Sequence, residues 1–283
     1  MSNMPNRSLL LVTVVMLMAC SVEPNAAQPP ARGDNTESAQ PLRAPSATSA
    51  KSSADVEAPV APATVLEAIF QDPGDRSPSY VVENGSLATF WFGQRYEVSG
   101  AAYYTGFVEQ TPDHFDGSTD DPPSAKATLT QATFVAPSGS ATWQFVGAQR
   151  FVGEVGTRGQ ADAPDPSRPA LVQQIGSDRL LLGVPTNAAI EQGVVQKNYE
   201  FLLRGIDGAW SHVGTIHAGH DDSAGCDGGR VFPCAPVSAR ITFEQGGDMP
   251  AITVRLEPGS SDRSSARTVT YRFDAAASTY HAP

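Results

Sequence analysis

The chain has 283 residues, 40% of them apolar, and its 30 acidic against 19 basic side chains give a formal net charge of -11. That balance excludes the electrostatic footprint of a nucleic-acid binder, which needs a basic face to displace counterions from phosphates. Lys and Arg are scattered singly, so no basic run is offered to anionic lipid head groups.

Residues 1–7 are polar with one positive charge at Arg7, and an uncharged apolar run follows over 9–19. A spanning helix needs about 20 apolar residues. The run is too short for that and has the layout of an export signal: positive start, short apolar core, small residue before the cut. It ends Leu17-Met18-Ala19-Cys20. This ending resembles the lipobox of bacterial lipoproteins. The resemblance implies a signal peptide over 1–19, cleavage before Cys20, diacylglycerol on its thiol and an acyl chain on the new amino group, so the membrane is the first partner. Ser21 follows the cysteine. By the sorting of such lipoproteins in Gram-negative bacteria, a residue other than aspartate there implies the outer membrane of the cell envelope.

Residues 21–63 contain no aromatic side chain and are rich in Ala, Pro, Ser and Thr. Such a stretch cannot bury enough apolar area to offset ordering entropy, so 20–63 reads as a disordered, lipidated tether. As a flexible coil it would reach about 35–40 Å.

From residue 64 onward, short runs rich in Val, Ile, Thr and aromatics are broken by Gly, Pro, Asp or Asn. Period-2 runs punctuated in this way predict strands. We place them at 87–92, 95–98, 102–108, 128–135, 142–145, 179–184, 199–203, 210–216, 240–243, 252–256 and 268–273. Helical candidates are 64–70 and 187–192, each two turns at most. The fold class is therefore all-β, an antiparallel sandwich or barrel-like arrangement.

Four short matches recur in the same order in two halves: 78–87 with 169–178, 95–98 with 198–201, 103–108 with 210–216, and 124–126 with 238–240. Their offset grows from 91 to 114, which longer loops in the second half would explain. They suggest an internal duplication, with one β unit over 64–162 and a similar one over 163–283 that could still form one domain.

The densest polar cluster lies between Trp210 and Cys234. Three chemistries compete there. Cys226 and Cys234 are the two cysteines remaining once Cys20 is set aside. An exported chain favours their pairing as a disulfide. Asp221, Asp222 and Asp227, among glycines, could supply hard oxygen ligands to calcium, although the spacing is not that of an EF-hand. A second acidic loop carries Asp113, Asp116, Asp120 and Asp121. Finally, His217 and His220 with Asp222 could bind zinc or move protons near neutral pH. His212 is left out, because alternation along a strand over 210–217 puts it on the face opposite His217.

No G-x-S-x-G, H-E-x-x-H, G-x-x-x-x-G-K-[ST] or C-x-x-C motif is present. Phe90-Trp91-Phe92 with Tyr96, Tyr103 and Tyr104 could form a stacking face for a ligand, with core packing as the plainer account. A tether without a catalytic motif predicts a non-enzymatic binder of a protein or glycan, with no cofactor required. The alternative is a periplasmic or surface hydrolase, or a metal-binding protein, using the 217–222 loop.

Overall fold

The computed structural model describes residues 59–113, 124–137, 140, 142–189, 193–226, 230, 234–259 and 266–282. Cys20, the lipobox and nearly all of the tether lie outside this set. The first element is helix α1 (Pro62–Phe70), with proline in its first turn, where a missing N–H costs nothing. Val65, Leu66 and Ile69 share its buried side, and Gln71 ends it in the left-handed conformation.

The rest is antiparallel β. Strands β1 (Ser79–Val81), β2 (Leu87–Val98), β3 (Ala101–Gln110), β4 (Ala127–Ala136) and β5 (Gln144–Val155) form one sheet in chain order. Strands β6 (Ala163–Pro164), β7 (Leu171–Ile175), β8 (Arg179–Ala189), β9 (Val195–Arg204), β10 (Trp210–Asp221), β11 (Val237–Glu244), β12 (Ala251–Pro258), β13 (Arg267–Asp274) and β14 (Thr279–His281) form the other, with β6 and β7 both paired to β8. The chain passes from one sheet to the other between Val155 and Ala163.

Local chemistry explains several connections. β2 and β3 are joined by Ser99-Gly100, both at positive φ (51° and 77°). This is the geometry a two-residue hairpin needs to match strand twist. Ser99 then donates through Oγ to Asp178 Oδ1 at 2.8 Å, tying this hairpin to the turn between β7 and β8. The separate strands expected at 87–92 and 95–98 are one strand, because Gly93 is accommodated within it: a Cβ there would collide with the Tyr104 hydroxyl. The helix expected at 187–192 begins instead as the end of β8, since Asn187 and Ala189 pair with Lys197 and Val195. Strand pairing overrides a weak local propensity there.

Two faces of the first sheet are buried. One meets the second sheet in a core of Trp91, Phe107, Leu129 and Val152 against Leu180, Leu182, Leu202 and Trp210. The other is covered by α1, with Val65, Leu66 and Ile69 on Ala88, Val108 and Ala132. The second sheet curls so that β14 returns to β10, where Thr279 Oγ1 donates to the Val213 carbonyl at 3.0 Å. The interior of that curl holds Tyr199, Phe201, Ile216, Ile252, Val254 and Tyr280.

The sequence matches do not fall on corresponding strands. The hairpin begun by β1 matches that begun by β7. Thereafter 95–98 lies in β2 but 198–201 in β9, and 103–108 lies in β3 but 210–216 in β10. Counted from its own first hairpin, each later match in the second half sits one strand further on. The growing offset therefore contains a whole strand, not only longer loops.

Candidate functional site

β10 carries three of the five histidines, and its register with β9 determines where they point. His212 pairs with Leu202, Thr215 with Glu200, His217 with Asn198 and His220 with Gln196. Residues 196, 198, 200 and 202 of β9 alternate onto one face, so their partners share it. Two irregularities make this possible, one between His212 and Gly214 and one between His217 and His220. Glycine sits at both, with φ 132° at Gly214 and 112° at Gly219. A bulge inserts an extra residue and resets which side chains face in. The expectation that His212 and His217 point to opposite faces is thereby corrected.

At the inner end of this row Glu200 is 1% exposed. Its Oε2 accepts from Thr215 Oγ1 at 2.7 Å and lies 2.7 Å from His212 Nε2. Asp162 stands near by, accepting from Asn198 Nδ2. Burial, then the Glu200 charge, pushes the Asp162 carboxyl above its ordinary range. Burial likewise raises Glu109, whose Oε2 accepts the Ala161 N–H. Further out, burial and then His220 hold the His217 imidazole below its usual value, which favours the neutral ring.

The acidic side of the expected site is distributed differently. Asp221 accepts from Ser223 N at 3.1 Å and pairs with Lys197 Nζ at 3.4 Å. The Ser223 hydrogen bonds and Lys197 lower its carboxyl against some burial. Asp222 accepts from Ala235 N at 2.8 Å, which straps the loop closed beside the Cys226–Cys234 disulfide. The expected disulfide is thus formed, with the two Cα atoms 5.4 Å apart. No hydrogen bond among the described residues joins Asp222 to His217 or His220. Asp227 lies outside the described residues, as do Asp116, Asp120 and Asp121, while Asp113 accepts from Asn84 and Ser86. Among the described residues, no group of three or more His, Cys, Asp or Glu side chains is arranged to hold a metal ion.

Beside Asp221 opens a cleft of about 270 Å³, lined by Asp165, Ser167, Asn187, Lys197, Asp221 and Ser223 among others. The sequence offers no site residue in 161–169, which straddle the expected boundary between the β units. The structure turns them into a wall: Arg168 Nε bonds Asp165 Oδ2 at 2.7 Å, its Nη2 donates to the Thr186 carbonyl at 2.6 Å, and its guanidinium lies over the Tyr199 ring. Burial works to raise the Asp165 carboxyl. Hydrogen bonds from Ser167 and Arg168 outweigh it and bring the value down to about 2. The aromatic residues singled out from sequence mostly went into packing: Trp91 and Tyr96 are core, and Tyr96 stacks on Tyr103 with ring centroids 5.7 Å apart.

Comparison with protein families, with characterised proteins and with solved structures finds no match to this chain. What is established is an antiparallel β-sandwich with one disulfide-closed loop beside a polar cleft.

Proposed function

We propose that this protein is a lipid-anchored binding protein of the bacterial envelope, held through Cys20 on the outer membrane, that takes up a glycan at the cleft between β8, β9 and the 221–224 turn. The observation that carries the reading is the balance of that cleft. Asp165 is matched by Arg168 and Asp221 by Lys197, while Asn187, Ser167 and Ser223 add neutral donors and acceptors. A polar but locally neutral wall suits a hydroxyl-rich ligand better than a strongly charged one. The resemblance of 17–20 to a lipobox and the composition of 21–63 support the location.

The test is calorimetric titration with envelope-derived oligosaccharides. Asn187→Ala and Lys197→Ala should each weaken binding about tenfold, the scale of one lost hydrogen bond of about 1.4 kcal/mol. Unchanged affinity in both variants would reject the cleft. For the anchor, Cys20→Ser should leave an uncleaved precursor without acyl chains.

A second reading, a hydrolase, draws on one observation: the bulges place His217 and His220 side by side on a face with Asn198. A pH-rate profile of His217→Ala and Asp222→Ala decides it, and wild-type turnover in both would remove it. Calcium at Asp221, Asp222 and Asp227 would show as a metal-dependent rise in thermal midpoint.

A further inference from the structure

Three of the large apolar side chains most exposed in the described chain stand on one strand: Phe145 at 55%, Val146 at 57% and Phe151 at 62%, all in β5. β5 is the last strand of its sheet, paired on one side to β4. A long apolar edge invites another strand. This edge is poorly built for that. Val146 falls in an irregularity between the pairs Phe134 with Phe145 and Thr133 with Gly147, and Phe151 falls in a second between Gln131 with Gln149 and Leu129 with Gly153. Bulges interrupt a ladder and turn side chains outward, so what β5 offers is apolar knobs and not a row of free backbone groups.

Charge and position narrow the occupant. Around the exposed apolar side chains β5 carries Arg150, and its one acid, Glu154, stands near the far end of the strand, in a chain of net charge -11. The Arg150 guanidinium rests over Phe70, the last residue of α1, with Arg95 over Trp143 close by. α1 is where residues 1–58 lead into the folded unit, and it packs on the same face as Trp143 and Phe134, the ring partner of Phe145. The exposed apolar edge therefore lies beside the C-terminal end of α1, the helix that residues 1–58 enter at its other end.

We infer that the β5 edge is a membrane-docking surface, with Phe145, Val146 and Phe151 entering the interfacial zone of a lipid bilayer and Arg150 beside its phosphates. The inference rests on the lipid-anchored reading for its orientation, since the anchor brings this side within reach of the bilayer.

The mature full chain, reconstituted in phosphatidylethanolamine and phosphatidylglycerol vesicles with brominated acyl chains, tests this by tryptophan quenching. Trp91 and Trp210 are buried at 7% and 2% exposure, so Trp143 is the reporter beside the edge. Wild type should be quenched at least twofold, Phe145→Ser with Phe151→Ser should lose the quenching, and Arg150→Glu should reduce it. Equal quenching in all three, or none in wild type while the protein remains on the vesicles, overturns the proposal. So does an edge-dependent complex with a protein in place of quenching. The mass of the N-terminal peptide reads acylation separately, so failure of the anchor is distinguished from failure of the docking.

Discussion

Glu200 illustrates how much one side chain can organise. It sits almost without solvent between the sheets, and one of its oxygens serves both Thr215 and His212. Of the three only Glu200 is buried, so removing a partner leaves its carboxylate desolvated without a hydrogen bond, which costs more than the bond itself. Glu200→Ala should lower stability by about 3 kcal/mol in urea unfolding, whereas Thr215→Val should cost about 1 kcal/mol. Acid behaviour follows from Asp165, whose folded carboxyl at about 2 lies below the ordinary 3.8. A depressed carboxyl stabilises the fold above its unfolded value, and that contribution is lost as pH falls from the 3.8 region through about 2. Asp165→Asn should therefore remove roughly 2 kcal/mol at neutral pH and flatten this acid limb. Asp162 and Glu109 act with opposite sign: their raised folded values make ionisation unfavourable, so their contribution is largest at acid pH and declines as pH rises through those values. The Asp162 and Glu109 pairings were not legible in the sequence, because they join residues 36 and 52 apart, Asp162 to Asn198 and Glu109 to Ala161. The histidine row was legible in part. Gly214 and Gly219 inside an apolar-alternating strand are the usual marks of bulges, and reading them as such would have placed His212 and His217 together.

Elements carry the next set of consequences. β5 and β10 approach so closely that a Cβ on Gly153 would lie 2.5 Å from His212 Cβ. Gln149 fastens the same corner, accepting from Trp210 N and donating to its carbonyl at 2.7 and 3.2 Å. Gly153→Ala should cost about 2 kcal/mol by overpacking, and a double-mutant cycle with His212→Gly, which removes the Cβ it meets, should return part of that loss. Absence of coupling would mean that the corner opens freely. The disulfide acts on a different element. Its half-cystines are 8 residues apart, and opening it should cost roughly 2–3 kcal/mol while loosening the 221–226 turn that borders the cleft. The Cys226→Ser, Cys234→Ser protein should thus lose affinity for a cleft ligand more than it loses core stability, measurable by comparing titration with chemical denaturation. The main strands of both sheets were visible from period-2 patterning. β5 was seen only at 142–145, because past Val146 its sequence of glycine, alanine, glutamine and arginine hides the alternation that the bulges have already broken.

At the scale of the whole chain, the two sheets share one core, and this decides how the protein should unfold. Trp210 of the second sheet meets Tyr96 and Phe107 of the first edge-on, with ring centroids 5.7 and 5.2 Å away. The first sheet has α1 on its other face and the second has its own curled interior, so each half has a private cluster as well as the shared one. A chain of two self-sufficient repeats would melt in two steps. Here, removing either sheet exposes Trp91, Phe107 and Leu129 on one side or Leu180, Leu182 and Leu202 on the other. Apolar exposure on that scale is of the order of the whole marginal stability of a domain. Calorimetry should therefore show one transition with equal calorimetric and van't Hoff enthalpies, and Trp210→Ala should lower the midpoint of every probe together. Two transitions, with the loss confined to one of them, would make residues 163–283 an independent domain and bring back the duplication that the one-strand offset now argues against.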